Sequence, residues 1–269
     1  MPIRPLLPAL LMLAACSSPE EMAGRTGVER TAEAKASVAA SPGDAKRAAY
    51  AESENNDLFS YAFSYPAQVG AHPELAKRLK AAADKAKADL IAEARAGQAD
   101  AKASGYPFNP HSWREDWKVV ADLPGYLSLS GAFSTFSGGA HGMYGLESLV
   151  WDKQAKNAID GIDLFRSPGT LEAAMRGDLC RALDAERTER RGTDLGGGGG
   201  MFDDCPGLDE ATILVGSSNG QTFDRITVWY GPYVAGPYAE GAYELDFPMT
   251  SEMLGAVKPA FASAFSAKR

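Results

Sequence analysis

Ser137-Gly138-Gly139-Ala140-His141-Gly142 is the stretch on which the reading of this chain turns. Extended segments rich in aromatic and β-branched residues lead up to it, and residues 144–151 resume the strand pattern after it. Glycine alone reaches positive φ without a steric penalty. Three glycines around one histidine therefore mark a backbone that bends sharply or lies against another segment. We read a bulged or turned junction between two strands. Two roles stand for His141: a turn residue that hydrogen-bonds the backbone, or an imidazole offered to a ligand.

On the N-terminal side of this junction, Leu127, Leu129 and Gly131 alternate with small or polar residues, which predicts a strand over 126–136. Pro124-Gly125 is a turn pair, and residues 117–121 predict the strand before it. Residues 106–113, with Pro107, Pro110 and His111, read as a loop. Leu75, Leu79, Ala83, Ala86, Leu90 and Ala94 recur at spacings of three and four after Pro73, so the longest helix starts there and frays between Gly97 and Gly105. Phe59, Tyr61, Phe63 and Tyr65 form the aromatic face of a strand that Pro66 ends.

On the C-terminal side, Asp152-Lys153-Gln154 predicts a hairpin turn and residues 159–165 a short apolar segment. Ser167-Pro168 starts a second helix reaching Arg190, with Leu171, Met175, Leu179 and Leu183 on one face. Strands follow over 211–215 and 222–230 around the Asn219-Gly220 turn, and a last one covers 243–247. Thr250-Ser251 caps a final helix that Pro259 breaks or kinks. The pattern predicts an α+β protein, antiparallel sheets with helices packed on one side, in two sequential subdomains, 56–142 and 143–269.

The N-terminus supplies an address. Arg4 precedes a short apolar run ending in Leu13-Ala14-Ala15-Cys16, which resembles the bacterial lipobox. Residues 1–15 read as a lipoprotein signal peptide and Cys16 as the acylated new N-terminus, with Ser17 favouring passage to the outer membrane. Residues 16–55, rich in Ala, Ser, Glu and Lys, bury too little apolar surface to order themselves and read as a flexible tether. The lipid is then the only membrane anchor, since no second apolar run approaches spanning length.

A formal charge of -8 and a pI near 5.0 exclude nucleic acid and anionic headgroups as natural partners and favour a basic one. Beyond Cys16 only Cys180 and Cys205 remain, an even pair without CxxC spacing, which reads as a structural disulfide in an oxidising periplasm. His72, His111 and His141 stand in no ligand spacing, so no metal and no cofactor is expected. The glycine run 196–200 lacks the Lys-Ser or Lys-Thr of a phosphate loop, and Asp203-Asp204 beside it repels phosphate.

Residues 57–66, the Ser137 to Gly142 junction, residues 159–165 and the Gly231 to Gly241 loop with its strand together resemble a tandem pair of extracytoplasmic domains of unknown function. That pair occurs in a lysozyme-sensing anti-sigma factor and ahead of the catalytic domain of a peptidoglycan deacetylase. The resemblance covers residues 57–253 and implies an α+β fold and an envelope-binding role, and it transfers no catalytic residue.

The function expected is a non-catalytic periplasmic binding module for a basic protein such as lysozyme or a peptidoglycan-related ligand. The alternatives are a cell-wall hydrolase working through paired carboxylates, whose pairing a sequence does not reveal, and a purely structural envelope lipoprotein. The expected binding residues are Gly139 and His141 in the junction and Tyr233, Tyr238 and Glu240 in the later loop, where Pro232 and Pro237 stiffen the backbone. Against this, both tyrosines also read as core residues.

Overall fold

Phe59, Tyr61 and Phe63 alternate with Ser60, Ala62 and Ser64, and the three rings are buried to 4% exposure or less. They lie on β2 (Phe59–Tyr65), flanked by β1 (Tyr50–Asn55) and β3 (His111–Asp122). The sheet continues through β4 (Tyr126–Phe136), β5 (Met143–Asp152) and β6 (Asn157–Ile159), its six strands standing side by side in sequence order. The structure is a computed structural model that describes residues 48–192 and 200–268, all within the unit Gly43–Arg269. The expected signal segment 1–15, Cys16, the part of the expected tether up to residue 47 and residues 196–199 of the glycine run lie outside the described residues.

Between β2 and β3 the chain forms the short α1 (Ala67–Gly70) and the long α2 (Pro73–Ser104). Leu75, Leu79, Ala83, Leu90, Ala94 and Ala101 are the buried stripe of α2. This helical crossover returns the chain to the same end of the sheet, so β3 runs parallel to β2. Every other neighbouring pair in the two sheets is antiparallel. The α+β class holds, and the sheet expected to be antiparallel is mixed at this one pair.

Three local expectations are corrected. Helix α2 does not fray at Gly97 but runs to Ser104, where Gly105 closes it at φ 74°. A Cβ at Gly97 would stand 3.0 Å from the His111 ring, so the bare glycine lets the last turns sit against β3. Strand β3 starts at His111 inside the expected loop, because parallel pairing from Phe59↔His111 to Ser64↔Asp116 satisfies its backbone. Residues 50–55, assigned to the tether, are an edge strand. Tyr50 stacks on Tyr65 at 5.3 Å and Lys87 of α2 donates to Glu52 at 2.8 Å, so ladder bonds and charge order a segment poor in apolar residues.

The second half contributes α3 (Pro168–Arg191) and a three-stranded sheet of β7 (Thr212–Gly216), β8 (Arg225–Tyr230) and β9 (Tyr243–Pro248). Ser167 and Thr170 cap α3 reciprocally. The last helix is corrected to a single turn, α4 (Ser251–Leu254), capped by Thr250, followed by a 3-10 turn over Pro259–Ala264.

Two cores result. One lies between α2 and the six-stranded sheet, the other between α3, the three-stranded sheet and the far face of the larger one. Alternation along β5 divides them, Leu149 and Trp151 entering the first and Val150 the second. Because β4 and β5 pair from Tyr126↔Asp152 to Thr135↔Met143, the larger sheet continues across residue 142, where the two subdomains were expected to meet.

Candidate functional site

The β4–β5 hairpin places residues 137–142 at its tip. Gly138 and Gly139 hold φ of 87° and 98°, which a side chain would strain. His141 leaves this tip exposed. Its Nδ1 lies 2.9 Å from the Gly142 carbonyl, so that nitrogen carries the proton and donates, leaving Nε2 to accept.

The acceptor meets the other loop. The Tyr233 hydroxyl lies 3.3 Å from His141 Nε2, and the Tyr238 ring stacks on the imidazole at 4.0 Å and 24°. Tyr238 also donates to the Gly142 carbonyl at 2.9 Å, and Tyr233 and Tyr238 stand 5.7 Å apart. The junction and the loop, more than ninety residues apart in sequence, thus meet in one aromatic cluster. His141 is both a backbone-bonded turn residue and part of a surface group. Tyr238 is half-buried, whereas Tyr233 is 49% exposed at φ 70°, a conformation costly for a bulky side chain.

Glu240 is a correction. Its carboxylate accepts from Arg191 Nε at 2.8 Å, Arg191 Nη2 at 3.0 Å and the Tyr243 hydroxyl. Burial pushes its pKa up, but Arg191 and Tyr243 outweigh that and hold it below the usual carboxylate range. An anion so engaged holds the loop together and is not free for a basic partner.

The residues that set this loop are arginines missing from the sequence reading. Arg187 is fully buried and donates to the carbonyls of Ala235 at 2.9 Å, Asp203 at 3.2 Å and Asp204 at 2.9 Å. Arg190 donates to the carbonyls of Glu240 and Ala242 at 2.7 and 2.8 Å, and its guanidinium lies 4.0 Å over the Tyr243 ring. A signal was present: the stripe Leu171, Met175, Leu179, Leu183 extends by four to Arg187. Cys180 and Cys205 form a disulfide with Cα atoms 5.5 Å apart, fastening the Asp203–Asp204 segment to the same helix.

Both ring nitrogens of His141 are engaged by Gly142 and Tyr233, so no Ser137–His141 nucleophile pair forms. Among the described residues no cluster of His, Cys, Asp and Glu could hold a metal ion, and no helix is long and apolar enough to cross a membrane.

The fold defines an α+β module with a paired-loop aromatic cluster at the tip of the β4–β5 hairpin. A family model described as Deacetylase PdaC matches residues 52–144. A member of the DUF3298 family from Bacteroides fragilis is similar in structure, with a TM-score of 0.52 and 17% identity over 81% of this chain and 95% of that one. A DUF3298 family protein from Pseudomonas aeruginosa PAO1 gives a TM-score of 0.48 and 19% identity over 84% of this chain and 99% of that one. No curated protein matches the chain. The resemblance read in the sequence holds as a PdaC-like segment within a DUF3298-like α+β fold.

Proposed function

We propose that the chain is a non-catalytic binding module of the cell envelope whose partner docks on the cluster of His141, Tyr233 and Tyr238. The observation that supports this is Tyr233: a large ring held about half exposed on a strained backbone and braced by His141 and Tyr238. A folded loop expends strain energy on an exposed aromatic with no stability return, whereas a preorganised tyrosine is a low-entropy binding anchor. The partner class is a basic protein, with lysozyme the candidate from the anti-sigma resemblance, because the chain carries a net charge of -8. Attraction comes from that overall charge rather than from Glu240. Lipidation at Cys16 anchors the module to the outer membrane facing the periplasm.

The test is capture of lysozyme by the purified full-length chain at low and high salt, alongside Tyr233→Gly. Glycine keeps the φ of 70° and deletes only the ring. Salt-sensitive capture weakened about tenfold by this variant supports the reading. Equal capture by both chains would place the partner surface elsewhere.

A further inference from the structure

The helix-covered face of the larger sheet holds a second feature, unused by the function proposed above. Between one face of α2 and strands β3, β5 and β6 a groove of about 430 Å³ opens, lined by Arg78, Trp113, Glu115, Trp117, Glu147 and Asp160. Register explains the space. Trp117, Gly131 and Glu147 stand in one row across β3, β4 and β5, and Trp117 lies so close over Gly131 that a Cβ there would be 2.8 Å from the indole. Glycine in the middle strand makes a floor, with one tryptophan laid across it. Trp113 stands at the side, stacked on Tyr61 at 5.3 Å.

Asp160 accepts from the Ile162 N–H at 3.1 Å, but two polar groups deeper in the groove are less well served. Glu115 is only 7% exposed, yet among the described residues it makes no ion pair, and the Trp117 indole N–H, on a residue 4% exposed, closes no hydrogen bond. Burial pushes the Glu115 carboxyl up to about 7, the nearby Trp117 indole pulls it down and the Glu147 charge adds to the rise. Glu147, exposed at the mouth, is raised by the part of its carboxyl that the groove covers and then by Asp160. A buried carboxylate raised by a neighbouring one is relieved by a cation placed between them. Among the described residues lining the groove, Arg78, exposed on α2, is the one base against three acids.

We propose that this groove binds a small organic molecule bearing a primary ammonium group, held by Glu115, Glu147 and Asp160 with its carbon frame against Trp113 and Trp117. A primary ammonium has three N–H donors to give to these carboxylates, whereas a quaternary one has none and would leave buried Glu115 unsatisfied. The indoles add cation–π attraction. The volume suits a molecule of one or two rings.

The test is calorimetric titration of the full-length chain with glucosamine and n-butylamine, using N-acetylglucosamine and n-butanol as neutral counterparts. Both amines should bind and both neutral compounds should not, and Glu115→Gln and Glu147→Gln should each weaken amine binding about tenfold. Should Glu115→Gln fold poorly, Glu147→Gln at the exposed mouth decides. Equal binding of the neutral compounds, absence of amine binding, or amine binding indifferent to a folded variant would each overturn the proposal. Lysozyme capture reads a different surface, so the two proposals fail separately.

Discussion

The imidazole of His141 lies on the ring of Tyr238 with centroids 4.0 Å apart, and both side chains bond the same Gly142 carbonyl. A hairpin tip and a loop ninety-seven positions later are thereby made into one surface (238 − 141 = 97). Tyr238 is structural glue and Tyr233 is its exposed product, so the two tyrosines should separate by experiment. Tyr238→Ala should lower both the melting temperature and partner capture, with roughly 1 to 2 kcal/mol lost in each. Tyr233→Gly should lower capture alone, as read by calorimetry and binding on the same preparations.

Arg187 should dominate the stability of this region. Arg187→Ala takes the donor from one buried carbonyl, Ala235, and from the partly buried carbonyls of Asp203 and Asp204, and a loss of about 3 kcal/mol is expected in urea unfolding. Arg187→Lys should rescue little, because an ammonium cannot reproduce the guanidinium fork. A variant as stable as the parent would show that the carbonyls find other donors.

The disulfide closes a loop with a sequence separation of 25, for which chain entropy suggests roughly 3 kcal/mol. Thiol titration of the unfolded, unreduced protein should find neither Cys180 nor Cys205 free. Reduction should lower the unfolding midpoint and loosen the Asp203–Asp204 segment, seen as faster amide exchange there.

Glu115 predicts a pH dependence opposite to that of a paired carboxylate. Its folded pKa, about 7, lies above the ordinary 4.5, so between those values the native state binds more protons than the unfolded one. Its contribution is therefore greatest below about pH 4.5 and is lost as pH rises through 7, by up to about 3 kcal/mol. Glu115→Gln should flatten that slope and raise stability above pH 7. Urea midpoints from pH 5 to 8 for parent and variant, compared as a difference, isolate this group from the remaining carboxylates.

Cys16→Ala should block lipid attachment. Incorporation of labelled palmitate into the parent and not the variant, with the variant left as precursor or released from the membrane fraction, is the expected result. A parent of unmodified mass that fractionates as a soluble protein would end the lipid-anchor proposal.

What the sequence determined by itself was set by local rules. Alternation of Phe59, Tyr61 and Phe63 defined a strand and its buried face, the four-residue stripe from Leu171 to Leu183 defined a helix, and the glycines around His141 defined a turn, because each depends on backbone sterics and side-chain period within a few residues. The tertiary structure alone decided the rest. Strand β1, the early start of β3 and the last turns of α2 are held by partners distant in sequence, which no local period records. Glu240 carried a charge in the sequence, and only the fold turned it inward to Arg191. The grouping of Glu115, Glu147 and Asp160 likewise depends on strand register and on the crossover helix packed beside them, so burial, which sets a carboxylate's chemistry, was decided by the fold and not by the residue.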